Sequence, residues 1–415
     1  MASKVRLGGG LAPTPHPARA EINPANMAPI TGHADPHSHA AFAVQRAPDQ
    51  PQLDLGRNVH CLFGLTFDAV TLDEAAERLR RDSYECRPCF VSTPNVNFII
   101  EALSDPAFRG SVLRSDLSLA DGMPIVWAAR LMGIPIPQRV AGSDLFEHLQ
   151  RPGGRPLKVY LFGGPEGIAE RAAAALNVQG GGLQCAGFES PGFGSVSDLS
   201  SPQQIERINA SSADFVVVAL GAKKGQAWIE HNRHRLRAPL ICHLGAVINF
   251  VAGSVNRAPR TWQQLGLEWL WRVKEEPSLW RRYFRDGSAL VGLALSRVLP
   301  CSLAVARDRL FSAPDANPRH ELVEQDGQVI IRLTGRWTAE ALLPLKRDMV
   351  SSLRHGSTIQ FDLSAVTWLD SAVLGMLVLF DTWQATPPAM LPGTAITPTV
   401  RRLFRWHGAE GLLGS

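Results

Sequence analysis

The chain is 415 residues long, 45% apolar and 19% charged, with a formal net charge of +4. That length accommodates two or three domains, and the composition is that of a globular protein with a packed core. The charges are too evenly balanced for a nucleic-acid-binding protein, so only a local basic patch is left to meet an anionic surface. Six scattered cysteines, with no secretory leader legible ahead of them, read as reduced thiols. The lone Cys86-Arg87-Pro88-Cys89 lacks the two further ligands of a zinc site.

Residues 1–57 are rich in Ala, Pro, Gly and His without periodicity and read as a disordered tail. Its His33, His37 and His39 read as polar spacer. Over residues 58–253 strand and helix alternate. Leu62–Val70 reads as a strand and turn, Leu72–Arg81 as an amphipathic helix, Cys89–Ser92 as a strand and Val96–Leu103 as a helix. Leu117–Ala120 is a strand, Pro124–Met132 a helix and Lys158–Phe162 a strand, followed by an Ala-rich helix at 168–176. Phe215–Leu220 is a strand, a helix surrounds Trp228–His234, and Leu240–Leu244 is the last strand. This alternation predicts an α/β domain: a parallel sheet with helices on both faces and its ligand beyond the carboxyl ends of the strands.

Residues 254–286 crowd Trp262, Trp269, Trp271, Trp280 and Tyr283 among Arg272, Arg281, Arg282 and Arg285. Rings at headgroup level with cations towards phosphates make a membrane-facing appendage; an ordinary packed helix is the alternative. Residues 287–318 read as an amphipathic segment and linker. Its most apolar part, Ser288 to Ala306, is broken by Arg297 and Pro300 and is expected to lie on a membrane rather than cross it. Residues 319–415 restart the pattern as a second, small α/β domain. Strands are expected at Val329–Leu333 and Thr358–Leu363, and helices at Ala339–Arg354, Leu374–Thr382 and 400–407.

The candidate chemistry lies at strand ends. Asp121, in Ala120-Asp121-Gly122, follows an apolar strand; Thr93 and Asn95 end its neighbour; Arg139 stands in the loop after the next helix. A carboxylate there can deprotonate a hydroxyl, and an arginine can balance a diphosphate, although Asp-Gly after a strand is equally an ordinary turn. Gly163, Gly164 and Gly167 at a strand-to-helix junction allow backbone approach to a phosphate, and the turn Gly221-Ala222-Lys223-Lys224-Gly225-Gln226 repeats the idea with two lysines. Neither completes a dinucleotide fingerprint, which leaves a nicotinamide enzyme unsupported.

The ordered set Thr93-Pro94-Asn95, Ala120-Asp121-Gly122-Met123-Pro124, Arg139-Val140-Ala141-Gly142-Ser143-Asp144, Phe162-Gly163-Gly164, Trp228-Ile229, Ala252-Gly253, Arg257-Ala258-Pro259, Gly266-Leu267-Glu268-Trp269, Glu276-Pro277 and Arg282-Tyr283 strongly resembles the WecG/TagA/CpsF family, glycosyltransferase family 26, over about residues 58 to 286. The resemblance implies a Rossmann-like sheet of GT-E type. It also implies an inverting, metal-independent hexosyltransferase that moves a sugar from a UDP-sugar to a polyprenyl-diphosphate-linked saccharide in cell-surface polysaccharide synthesis. The enzyme would work as a peripheral protein on the inner, cytoplasmic face of the cell membrane. By the same resemblance Asp121 is the catalytic base, and Thr93, Asn95, Arg139, Gly163, Gly164, Lys224, Gln226, Arg272, Arg281 and Arg282 bind substrate.

Two positions depart from the pattern. The family's Pro-Lys-Gln-Glu reads Lys223-Lys224-Gly225-Gln226, so its glutamine falls on Gly225. An arginine usual two residues after Glu-Pro is Leu279, with Arg281 its substitute. The altered turn supports an alternative in which a non-catalytic scaffold senses a nucleotide-sugar. The C-terminal domain, through Phe361-Asp362-Leu363 and Leu369-Asp370-Ser371-Ala372-Val373, resembles a STAS domain. The serine that signalling members phosphorylate is Ala372 here, with Ser371 the nearby hydroxyl. This points to a phosphorylation-independent module that binds a protein partner.

Overall fold

The structure, a computed structural model, describes residues 42–44, 52–264, 266–311, 317–325, 328–384 and 389–413. Two short strands, β1 (Ala43–Val44) and β2 (Leu53–Asp54), pair antiparallel and lead into a hairpin of β3 (Val59–Leu62) and β4 (Leu65–Asp68). There follow α1 (Leu72–Tyr84), β5 (Cys89–Ser92), α2 (Val96–Ser104), α3 (Pro106–Leu113), β6 (Leu117–Ser118), α4 (Met123–Leu131) and α5 (Gly142–Gln150). Next come β7 (Leu157–Gly163), α6 (Ile168–Gln179), β8 (Leu183–Glu189), α7 (Pro202–Ala210), β9 (Phe215–Ala219), α8 (Ala222–Asn232), β10 (Leu240–His243) and α9 (Val247–Val251).

Six strands form one sheet in the order β6-β5-β10-β9-β7-β8, every pair parallel. The sheet is apolar on both sides because both are covered. Along β9, Phe215 and Val217 pack with Leu79, Leu145 and Ala172 on one face, and Val216 and Val218 pack with Ile205, Trp228 and Ile229 on the other. From β5 the chain crosses outward to β6, while β10 lies on its other side. The crevice between oppositely directed connections therefore opens over the carboxyl ends of β5 and β10.

A disordered tail running to residue 57 is not what the structure shows at its end. Besides the β1–β2 pair, Arg57 is buried. Its Nε and Nη2 donate to Asp68 at 3.0 and 2.7 Å, and its Nη1 donates to the Ser115 carbonyl at 2.9 Å. That ion pair is set by tertiary contacts, which hydrophobic periodicity does not report. Residues 1–41 and 45–51, with His33, His37 and His39, lie outside the described residues.

After α9 the appendage is built from α10 (Arg260–Gln264), α11 (Glu268–Glu275) and one continuous helical run, Pro277–Phe311. That run contains α12 (Trp280–Leu293), a π-turn at Ala294–Val298 and α13 (Leu299–Phe311). A boundary at 286 thus falls inside α12, and Arg297 and Pro300 do not break the helix. Pro300 has no N–H, and its ring would strike the carbonyl one turn back. The backbone widens just before it, with the Leu299 N–H donating to the Ala294 carbonyl. Arg297 turns aside to the Arg405 carbonyl at 2.8 Å and to Glu410 at 2.7 Å. By length and composition the run could cross a membrane. It is one-sided, however: Asp286, Leu293, Val298 and Cys301 are buried against the protein, while Phe284, Val291, Leu295, Leu299 and Leu303 are exposed.

The last domain has β11 (Arg319–Gln325), β12 (Gln328–Trp337), α14 (Leu342–Arg354), β13 (Thr358–Leu369), α15 (Ser371–Gln384) and α16 (Pro398–His407). β11 pairs antiparallel and β13 parallel with β12. The domain does not stand apart. α15 lies on β3, so closely that a Cβ on Gly375 would come within 2.8 Å of the Val59 carbonyl oxygen. The Gly64 N–H donates to the His407 carbonyl at 2.7 Å, and Ser371 Oγ and His60 Nδ1 share a buried hydrogen bond of 2.9 Å. One hydrophobic core runs from Leu62, Phe67 and Phe98 to Phe361, Leu374 and Phe380.

Candidate active site

A cavity of about 610 Å³ opens at the carboxyl ends of β5, β6, β9 and β10, within the range of about 300–1,000 Å³ usual for small-molecule sites. Its wall includes Thr93, Asn95, Asp121, Arg139, Gly221, His243, and from the appendage Glu268, Arg272, Arg282 and Asp286. Parallel strands all point their carboxyl ends at this rim, so the helices that follow begin there. α4 and α8 start at Met123 and Ala222 with no side chain capping their first N–H groups. Uncapped helix starts together with arginines suit an anionic ligand.

Asp121 forms part of the pocket wall. Its N–H is spent on the Pro94 carbonyl at 3.0 Å, and its carboxylate accepts the Gly142 N–H at the start of α5. A Cβ on Gly142 would push the end of the Leu244 side chain aside and come within 3.3 Å of Thr93 Oγ1. Burial raises the Asp121 carboxyl to about 7; Glu268 and Asp144 push it the same way, while Arg139 and the Gly142 N–H oppose them. A carboxylate poised near neutrality is what a general base requires.

Arg139 is the hub of the charges around it. Nη2 donates to Asp144 at 2.6 Å and Nη1 to Glu268 of α11 at 2.7 Å. Asp144 also pairs with Arg257, which reaches Glu147 at 2.5 Å and Ser143 Oγ at 3.0 Å. The appendage is therefore tied to the sheet domain through the arginine beside Asp121. Asn95 Oδ1 caps α2 by accepting the Phe98 N–H at 3.2 Å. Arg272 lies over the Phe250 ring, 5.4 Å to its centroid, and Arg282 over Tyr283 at 5.3 Å.

Asp121, Thr93, Asn95, Arg139, Arg272 and Arg282 thus share one pocket. Arg281 lines a neighbouring recess with Lys223 and Arg285. Four expected residues stand elsewhere. Gly163 and Gly164 are not in the wall; a Cβ on Gly163 would lie 2.5 Å from the Ala219 carbonyl oxygen, so close strand packing explains that glycine. Lys224 Nζ turns to the Gly194 carbonyl at 2.8 Å. Gln226 is fully buried, its Nε2 donating to Ser92 Oγ at 2.8 Å. Helical rotation through 224–226 carries these side chains away from the rim, which the turn's sequence alone does not disclose. Sequence reasoning also missed Glu268, Asp286 and His243 as wall residues. Glu268 and Asp286 reach the rim only because the appendage folds back, Asp286 accepting a hydrogen bond from Asn97 at 3.1 Å. Among the described residues no three His, Cys, Asp or Glu side chains group as a metal site.

A doubly covered parallel sheet with a near-neutral carboxylate, arginines and uncapped helix starts at its strand ends is an α/β fold whose pocket suits a negatively charged ligand. Comparison with known proteins narrows that class. The sequence model of the glycosyl transferase WecG/TagA/CpsF family matches residues 60–302, more than half of the chain, which therefore belongs to that family. A model described as Mlab, STAS domain matches residues 320–414. The chain is 29% identical over 194 residues to an N-acetylglucosaminyldiphosphoundecaprenol N-acetyl-beta-D-mannosaminyltransferase of Bacillus spizizenii, covering 46% of this chain and 74% of the relative.

Proposed function

We propose that this protein transfers a hexose or N-acetylhexosamine-type sugar from a UDP-sugar to a polyprenyl-diphosphate-linked saccharide, with inversion, in cell-surface polysaccharide synthesis. The observation that carries the reading is Asp121: a carboxyl raised to about 7, beside Arg139, in a pocket walled by the arginines of the appendage. In a single displacement the acceptor oxygen bonds to the anomeric carbon as the bond to the UDP oxygen breaks. The acceptor's proton passes to the Asp121 carboxylate. Arg139, Arg272, Arg282 and the starts of α4 and α8 balance the departing diphosphate, so the step draws on no metal ion. The relative's own substrate, named as an N-acetylglucosaminyl diphosphoundecaprenol, supports a lipid-diphosphate acceptor. The scaffold alternative leaves a near-neutral carboxylate in the pocket without a role.

The same reading places the protein on the inner face of the cytoplasmic membrane. Phe284, Val291, Leu295, Leu299 and Leu303 expose an apolar stripe along the long helix, and Trp127 and Leu131 of α4 are exposed as well. A protein partner of the STAS domain would have to use surface other than the α15 face already packed on β3.

The test is release of UDP from candidate UDP-sugars with a lipid-diphosphate acceptor, in EDTA, for wild type and Asp121→Ala. Turnover by the wild type alone supports the reading. Equal turnover by both, or none by the wild type with any donor, overturns it.

A further inference from the structure

Gly225 sits inside α8, where a glycine is less stable than alanine because its backbone loses more freedom on folding. Its φ is not positive, so the backbone does not demand glycine there. What demands it is a neighbour: a Cβ on Gly225 would penetrate the His243 ring, which comes from the end of β10. The same ring crowds Gly245, where a Cβ would lie 3.3 Å from His243 Nε2, and it tilts against Phe98 with centroids 6.2 Å apart. The imidazole therefore occupies the volume a side chain at 225 would fill, and position 225 is where the sequence pattern leads one to expect glutamine.

His243 is only 8% exposed and lines the pocket, yet its buried Nε2 has no hydrogen-bond partner in the protein. An orphaned buried polar atom forfeits the hydrogen bond it made to water, so an imidazole held this way in a pocket points to a partner supplied by the ligand. Burial lowers its pKa to about 4, which keeps the ring neutral at physiological pH. A neutral imidazole adds a directional hydrogen bond and no charge. The cations of the pocket, Arg139, Arg272 and Arg282, come from other elements.

We propose that His243, seated over Gly225, is a donor-binding residue that hydrogen-bonds an uncharged group of the nucleotide-linked sugar, a hydroxyl or an acetamido group, and so takes part in donor selection. This rests on the transferase reading above and deepens it.

Calorimetric titration of the full chain with UDP and with UDP-N-acetylhexosamines or UDP-hexoses separates the possibilities. His243→Ala weakens the preferred UDP-sugar about five- to tenfold, the loss of one hydrogen bond of about 1 kcal/mol or slightly more. It leaves UDP within about twofold, the scatter of a titration that loses no contact. His243→Gln, which keeps a donor and an acceptor, recovers part of the loss. The steric half is read without any ligand. Gly225→Gln lowers the melting temperature while His243 is present and is tolerated in the Gly225→Gln, His243→Gly double variant, which also regains UDP-sugar affinity. Equal weakening of UDP and UDP-sugar, no weakening of either, or a Gly225→Gln variant as stable as wild type would overturn the proposal. Failure of the wild type to bind any UDP-sugar, with the steric coupling intact, removes the transferase reading of the pocket and the donor contact with it.

Discussion

Asp121 and Asp370 stand in matching places, each just past an apolar strand and just before a helix, and the protein uses them in opposite ways. Asp370 spends its carboxylate on backbone: Oδ1 accepts the N–H groups of Ala372 and Val373 at 2.9 and 3.0 Å, and Oδ2 that of Ala339 at 2.7 Å. It caps α15, and the serine beside it is sealed against His60. Asp121 is followed by Gly122, caps nothing on α4, and faces the cavity. A strand-end aspartate becomes structural or chemical according to what covers the rim. In the transferase domain the rim is left open and bordered by arginines, whereas in the STAS domain α15 and β3 close over it.

The largest contrast is expected in turnover. Asp121→Asn loses about 10²- to 10⁴-fold in kcat, the usual contribution of a general base. It should also gain stability. The folded carboxyl titrates at about 7, above its unfolded value, so its ionisation costs stability as pH rises from about 4 to 7. Asp121→Asn therefore melts higher than wild type at pH 8, by on the order of 1–4 kcal/mol, and the gap closes towards pH 4. Equal stability across that range would show that the charge carries no buried cost.

The STAS side is expected to answer in stability. Ser371→Glu forces a charge against His60, which burial lowers to about 4 and so keeps neutral, and Gly375→Val drives a side chain into the Val59 backbone. Each should cost roughly 3 kcal/mol or more in urea unfolding. Unchanged unfolding midpoints would mean that α15 does not hold β3 in solution.

A subtler change should come from Arg139, which holds the Asp121 carboxyl down. Wild-type kcat/KM should rise with pH through an acid limb near 7, and Arg139→Gln should move that limb upward while lowering kcat/KM at least about tenfold. A limb that stays in place would remove Arg139 from the electrostatics of the base. The smallest effect on chemistry is expected from Leu295→Glu with Leu299→Glu. On anionic vesicles binding should fall several-fold in a sedimentation assay, with turnover of a water-soluble acceptor unchanged; retained vesicle binding would assign the stripe to something other than a membrane.

The pattern of apolar strands and amphipathic helices was legible because period-2 and period-3.6 burial are local properties; β9 reads straight from Phe215-Val216-Val217-Val218. The motif order placed Asp121, Thr93, Asn95 and Arg139 together, and they do line one pocket. The lysine–glutamine turn misled: after Gly221 the chain is already helical, and rotation about the axis sends Lys224 and Gln226 outward and inward of the rim. β11 escaped notice because its residues are mostly exposed and polar, and pairing with β12 alone makes it a strand.

The amino-acid sequence by itself determined the two α/β patterns, the family and the identity of the carboxylate at the strand end, since each is written in local periodicity or in ordered motifs. The tertiary structure decided what those residues do. Only the fold-back of the appendage sets Glu268 on Arg139, only the packing of α8 on β10 pairs Gly225 with His243, and only the docking of α15 on β3 joins the STAS domain to the core of the sheet domain. Such contacts join residues a hundred or more positions apart in most cases, and no local pattern encodes them.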